Sequence, residues 1–231
     1  LTRKRHHSVL KREVKSFVHV RSRTSKKDLE ILEKFKNKNF FVSKEVSHLS
    51  KLLPEKKINI LEIGFGDGNN LIEKAKTNSN MNFYGIEVFK SGIASVLKQV
   101  QIHDLKNICL FYGDAKDFLV KIEKPFFDFI FILFPDPWPK KKHWKRRLID
   151  ENFLNLVKQN LKEKGRLIVK TDWQDYADDI KKDFAEFKVL HDSNVLQSLK
   201  PIQTKYEGKA IAEGREVFTY ISDLNAQAFL E

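Results

Sequence analysis

The side chains best suited to chemistry lie in one stretch, FPDPWPKKKHWKRR, from Phe134 to Arg147. A single carboxylate, Asp136, sits between Pro135 and Pro137, with Trp138 and Pro139 just beyond. Prolines at alternate positions fix φ and remove backbone donors, so the loop is stiff before any ligand arrives. Stiffness reduces the entropy lost when a substrate is positioned. Six of the next eight residues are basic: Lys140, Lys141, Lys142, Lys145, Arg146 and Arg147. A rigid acid beside a cationic run with interleaved Trp138 and Trp144 suits a base gripped at one point while phosphates are held nearby. An ordinary proline turn followed by a solvated charged helix start is the plainer alternative. A helix is predicted from about Leu148, and cations at its start would oppose its macrodipole. A local rule broken beside a site points to function.

A second constellation is LEIGFGDG, Leu61 to Gly68. Gly64, Gly66 and Gly68 allow close backbone approach to a ligand and tolerate positive φ. The spacing G-x-G-x-G differs from the dinucleotide fingerprint G-x-G-x-x-G. Glu62 and Asp67 add carboxylates, which repel a pyrophosphate and suit a ligand with a cationic centre and an ammonium group. S-adenosylmethionine has both. Glu87 lies 23 positions after Gly64 and can accept from ribose hydroxyls. Asp114, in Gly113-Asp114-Ala115, can accept from an exocyclic adenine amine. Each of these acids alone reads equally well as a helix cap. Three of them at the ends of successive strands favour a ligand site. Lys170-Thr171-Asp172-Trp173 brings Asp172 to the same edge, and Thr204-Lys205-Tyr206-Glu207 lies in a polar loop.

Short apolar runs position these acids. Ile58–Ile63, Asn82–Glu87, Ile108–Tyr112, Phe127–Phe134 and Arg166–Thr171 read as buried strands, continuous rather than alternating, as in a parallel sheet covered on both faces. Helices are predicted at Asn69–Ala75, Ser91–Gln101, Ala115–Leu119, about 148–161 and about 176–187. The pattern predicts an α/β, Rossmann-like, mostly parallel doubly wound sheet. Phe187–Leu190 and Val217–Ser222, with a polar loop between them, predict an antiparallel C-terminal edge hairpin. Residues 26–57 predict two helical segments around an Asn-rich joint, within one domain spanning 26–231. Residues 1–25 read as a basic arm, either an RNA-touching tail or a solvated end.

Composition narrows the partners. The 231 residues include 43 Lys+Arg against 31 Asp+Glu, a net charge of +12, which favours an anionic partner such as nucleic acid. No apolar run approaches the roughly 18 residues that span a bilayer, so no membrane partner is expected. No apolar stretch follows the basic N-terminus, so no secretory signal is expected, and Leu1 in place of Met suggests that a few residues precede it. Cys109 is the only cysteine, which leaves no disulfide framework or cysteine metal site and fits a reducing cytoplasm. Its place in an apolar strand makes it core rather than nucleophile. No metal is predicted, and the sequence does not decide between monomer and homodimer.

Taken together, LEIGFGDG at 61–68, GIEV at 85–88, GDA at 113–115, FPDPWPKKKHWKRR at 134–147, KTDW at 170–173 and TKYEGK at 204–209 resemble the bacterial-type tRNA (guanine-N7-)-methyltransferase family. The motifs run in the family's order across roughly 58–222. The resemblance implies a class I methyltransferase fold that uses S-adenosylmethionine to modify a guanine in the variable loop of tRNA. It implies that Glu62, Gly64, Gly66, Gly68, Glu87, Asp114, Ala115 and Asp136 contact the cofactor, with Asp136 also catalytic. Lys140, Asp172, Thr204, Lys205, Tyr206 and Glu207 correspond to its substrate-binding positions, and Lys142, His143, Trp144, Lys145, Arg146 and Arg147 to its RNA-binding stretch. Two other readings are an exocyclic-amine nucleic-acid methyltransferase and a non-catalytic RNA-binding module. The first expects two prolines before the aromatic, where Asp136-Pro137-Trp138 has one. The second would not need the acids Glu62, Glu87 and Asp114 together.

Overall fold

The computed structural model describes residues 15–17, 24–42, 49–53, 58–122, 125–184, 188–189 and 201–223. Most of the predicted basic arm, including its stretch at 1–14, lies outside these residues.

The five continuous apolar runs become parallel strands, and a sixth strand joins them at the edge. They are β1 (Phe40–Val42), β2 (Ile58–Ile63), β3 (Met81–Glu87), β4 (Ile108–Tyr112), β5 (Phe127–Leu133) and β6 (Leu161–Thr171). Two antiparallel strands, β7 (Lys188–Val189) and β8 (Phe218–Asp223), complete the sheet in the order β1-β4-β3-β2-β5-β6-β8-β7. This is the mostly parallel sheet with an antiparallel C-terminal pair that the runs predict. Because both faces are covered, successive residues of one strand enter different cores. Leu61, Ile63, Tyr84 and Ile86 pack on one side, and Ile60 and Phe83 on the other. Cys109 is fully buried in the first cluster, and burial pushes its thiol pKa up, as core placement requires.

The helices are α1 (Lys26–Phe35), α2 (Asn69–Thr77), α3 (Lys90–Ile102), α4 (Ala115–Leu119), α5 (Glu151–Asn160), α6 (Gln174–Asp183) and α7 (Lys205–Ala212). Ser25 and Asp28 form a reciprocal capping box that starts α1. Lys98 on α3 pairs with Asp28 at 2.6 Å, which ties α1 to α3.

Four expectations are corrected. The Asn-rich joint contains β1, which pairs in parallel with β4 at the sheet edge. The second predicted helical segment of 26–57 is, among the described residues, a 3-10 turn at Leu49–Lys51. The polar loop before the last strand contains α7, capped by Thr204, whose hydroxyl accepts from the Glu207 N–H at 3.1 Å. The basic run also differs from expectation. It forms its own 3-10 helix, Lys141–Arg146, while α5 starts later behind the Asp150 cap with Glu151 in its first turn. The cations therefore do not oppose the α5 dipole, and that argument for their function falls away. Among the described residues no helix is long and apolar enough to cross a membrane.

The glycine loop depends on close packing with α3. A Cβ on Gly92 would lie 2.3 Å from the Gly66 carbonyl oxygen and 3.2 Å from Glu87 Cγ. Gly92→Ala is expected to destabilise the protein by about 1–3 kcal/mol, as overpacking does, seen as a lower denaturant midpoint. An unchanged midpoint would show that the loop moves aside freely.

Candidate active site

The strand order reverses between β2 and β5, and a cavity of about 430 Å³ opens at the carboxyl ends of the strands there. Of the predicted cofactor positions, Gly64, Gly66, Glu87, Asp114, Ala115 and Asp136 line it. Of the predicted substrate positions, Asp172 and Tyr206 line it as well. Gly68 and Glu62 sit behind the wall: Gly68 caps α2 in the left-handed region at φ 82°, and Glu62 is buried.

The acids differ in how they are held. Glu87 accepts from three backbone N–H groups, those of Gly66 (2.9 Å), Val88 (2.7 Å) and Phe89 (3.1 Å). It thereby braces the glycine loop, and with roughly four acceptor sites on a carboxylate it keeps about one for a ligand. Burial nonetheless raises its pKa against those hydrogen bonds. Asp114 caps α4 by accepting from the Lys116 N–H at 2.9 Å, and burial raises it too. The cap and ligand readings are thus compatible. Asp136 has an exposed surface, yet partial desolvation by the cavity walls raises its pKa. Glu62 is the extreme case. Burial pushes it up to about 7 against a single hydrogen bond from Asn70 Nδ2 at 2.8 Å, with the charges of Asp67 and Glu87 adding to the rise. Among the described residues no group of three or more His, Cys, Asp or Glu side chains could hold a metal ion.

The loop after β5 is bent at two points around Asp136. Phe134 and Trp138 adopt φ values of 54° and 47°. Side chains in the left-handed region cost about 1–3 kcal/mol each and persist only where the surroundings over-determine them. Those surroundings are visible. The Phe134 N–H donates to the Lys170 carbonyl at 2.8 Å, and its ring stacks on Tyr206 at 6.4 Å. Trp138 Nε1 donates to the Ser16 carbonyl at 3.1 Å, and the Arg146 guanidinium lies 5.1 Å from the Trp138 ring centroid.

The other predicted substrate positions divide. Tyr206 is 63% exposed and presents its ring at the cavity. Glu207 pairs instead with buried Lys170 at 2.7 Å, and Lys205 with Asp67 at 2.5 Å, so they tie α7 to the end of β6 and to the glycine loop. Lys140 is exposed at the start of the 3-10 helix and does not line the cavity. Lys142 and Lys145 are exposed, while His143, Trp144 and Arg146 are half-buried. The His143 pKa is lowered by desolvation and by the charges of Lys142, Arg146, Lys140 and Lys145, a measure of how dense the positive field is. Arg147 departs from its expected place on this surface. Only 6% of it is exposed, and its guanidinium points inward.

Ser16, Phe17, Leu148 and Arg215, which sequence reasoning overlooked, also line the cavity, together with Trp173 and Lys209 from the motifs at 170–173 and 204–209. Arg215 Nε and Nη2 both donate to Asp172 Oδ2, at 2.9 and 2.8 Å, and hold that acid in place. Asn70 joins the glycine loop to the segment before α7, because its Oδ1 accepts from the Ile202 N–H at 3.0 Å while its Nδ2 serves Glu62. Neither residue stands in a motif with recognisable spacing; only contacts across the fold reveal them.

The family model described as "Putative methyltransferase" matches residues 56–220. A tRNA (guanine-N(7)-)-methyltransferase of Nitrosococcus oceani is 40% identical over 163 residues, 69% of this chain and 68% of that one. The protein of that name from Wolbachia pipientis is 34% identical over 200 residues, 85% and 86% of the two chains. One from Buchnera aphidicola is 34% identical over 224 residues, 94% and 93%. Among solved structures, a 30S ribosomal A1408 methyltransferase from an uncultured bacterium superposes with a TM-score of 0.52 at 16% identity, covering 72% of this chain and 87% of that one. That likeness concerns the fold alone.

Removing the Glu62 charge tests the electrostatics. Its folded-state pKa lies above the ordinary 4.5, so it favours folding fully below that value and loses the contribution as pH rises through about 7. Glu62→Gln is therefore expected to melt higher than the parent chain near about pH 8 and to match it near about pH 4. A difference independent of pH would contradict the burial argument.

Proposed function

We propose that this chain, which belongs to the tRNA (guanine-N7-)-methyltransferase family, transfers a methyl group from S-adenosylmethionine to N7 of a guanine in tRNA, with the variable loop as the expected location. The observation that carries the reading is the convergence of Glu87, Asp114 and Asp136 on one cavity, backed by Glu62, with the basic run starting four residues after Asp136. A cavity rimmed by acids whose pKa values are raised by desolvation suits a ligand carrying positive charge. Gly64 and Gly66, both at positive φ and open where a side chain would stand, leave room for the ligand to lie against the backbone. The Gly64–Gly66 turn, with Glu62 buried behind it, would hold the amino-acid end, Glu87 the ribose and Asp114 the adenine amine. When bound, the cofactor supplies an electrophilic methyl on a sulfonium.

The chain's own residues then have little proton chemistry to do. Guanine N7 is an acceptor without a proton, so no general base is required. Tyr206 and the stiff Phe134–Pro139 loop orient the base, and orientation alone can supply much of the rate. As N7 becomes bonded the purine turns cationic, and the Asp136 carboxylate stabilises that charge. A carboxylate at Asp136 or Asp172 can accept from guanine N1–H and its exocyclic amine, a pattern adenine does not offer. Lys140 contacts the substrate, and Lys142, His143, Trp144, Lys145 and Arg146 form the phosphate-holding face. A tRNA substrate makes the cytoplasm the working compartment.

Incubation with unmodified tRNA and labelled cofactor, followed by nucleoside analysis, is expected to place the label in 7-methylguanosine; label in another nucleoside would refute the proposal. Asp136→Ala is expected to reduce kcat by about a hundredfold or more, as loss of one electrostatic stabiliser does, with tRNA affinity little changed. Near-normal turnover would remove Asp136 from its role. Neutralising Lys142, Lys145 and Arg146 is expected to flatten the log–log salt dependence of tRNA binding by roughly 0.7–0.9 for each phosphate that is no longer neutralised. An unchanged slope would mean that the run is only solvated.

A further inference from the structure

We propose that Arg147 is a positioning residue, a buried guanidinium that clamps the Asp136 loop to α6 and so sets where that carboxylate meets the substrate base. The inference rests on the role given to Asp136 above. It separates Arg147 from the basic run in which it stands.

Arg147 Nε donates to the Pro137 carbonyl at 3.0 Å, one residue beyond Asp136. Nη1 donates to the Asp175 carbonyl at 3.3 Å and pairs with the Asp179 carboxylate, both on α6. The guanidinium plane is fixed by two rings, Trp144 at 4.6 Å and Tyr176 at 4.9 Å to their centroids. Tyr176 is itself fully buried and accepts from the Ile149 N–H at 3.0 Å. One side chain thus joins the loop, the 3-10 helix and α6. Its neighbour Arg146 is only half-buried and touches the loop from outside, over the Trp138 ring.

Stability alone does not account for an arginine here. Burying a guanidinium carries a desolvation penalty, and Nη2 is buried without a hydrogen-bond partner among the described residues. An apolar side chain of similar length would fill the slot without that penalty. What it would not supply is a fork that holds a proline carbonyl and a carboxylate on another element at fixed geometry. The loop needs such a hold because Phe134 and Trp138, on either side of Asp136, are both in the left-handed region. Bonding the Pro137 carbonyl restrains the bend between them.

The test measures kcat and KM for methylation of unmodified tRNA, together with the salt dependence of tRNA binding and the melting temperature. Arg147→Met is expected to lower kcat by about a hundredfold, the scale of a 1 Å misplacement, while the tRNA KM, the salt slope and the melting temperature stay near the parent values. Arg147→Lys, which keeps the charge and loses the fork, is not expected to restore kcat. Asp179→Asn reaches the site only through Arg147. It is expected to lower kcat by a smaller factor and to add nothing in the Arg147→Met background. This variant also keeps the test open should Arg147→Met fail to fold. A raised KM with a salt slope reduced by roughly 0.7–0.9 would make Arg147 a phosphate contact and overturn the clamp. Unchanged kcat in folded Arg147→Met or in Asp179→Asn, or full rescue by lysine, would overturn it as well. If the parent chain forms no 7-methylguanosine, the proposed function fails first; parent activity with an indifferent Arg147 refutes the clamp alone.

Discussion

Desolvating several like charges at one sheet edge is the constraint around which this molecule is built. Glu62, Glu87, Asp114 and Asp136 come from the ends of four neighbouring strands, and each has its pKa raised by burial. A protein gains no stability from such a grouping, since every charge would be better hydrated in the unfolded chain. The arrangement makes sense when the missing countercharge arrives with a ligand. Glu87 also shows how the grouping is tolerated. Its oxygens are tied to three backbone N–H groups, one in the glycine loop and two in the turn that follows β3.

The second constraint is the bent loop after β5. Its position comes from parallel pairing of β5 with β2 and β6, and its shape from prolines and two left-handed residues. Its hold comes from distant parts of the chain, the Lys170 carbonyl, the Tyr206 ring and the Ser16 carbonyl, and from the nearby Arg147 fork. The segment around Thr204–Glu207 is tied to the glycine loop in turn, through Asn70 and the Lys205–Asp67 pair. Opposite walls of the cavity are therefore tied together by direct contacts that run through α7 to the loop carrying Asp136.

Much of this was legible in the sequence, and the reasons are physical. Buried parallel strands announce themselves as apolar runs, so β2 and β4 match their expected limits, and the acids at the strand ends fall where expected. β1 was invisible because three residues in an Asn- and Lys-rich setting carry no period, and only pairing with β4 makes them a strand. α7 was hidden by Gly208 and its polar composition, although the Thr204 cap was present. Arg147 misled for a different reason. Its neighbours in sequence are surface cations, while its partners in space lie 28 and 32 residues further on. Chain position gave it a charge class, and tertiary packing gave it a use.

The central claim is that the acidic cavity waits for a positive ligand, and proton linkage tests it most directly. Glu62 titrates at about 7 in the free protein, so near neutral pH a substantial fraction is protonated. An ammonium-bearing ligand in the cavity, on the other side of the wall from Glu62, favours the carboxylate through its charge and expels that proton. Calorimetry of S-adenosylhomocysteine binding near about pH 7, repeated in buffers of different ionisation enthalpy, reads this release. The account predicts net proton release in the parent chain and its loss in Glu62→Gln. Binding heats that do not depend on the buffer would contradict it.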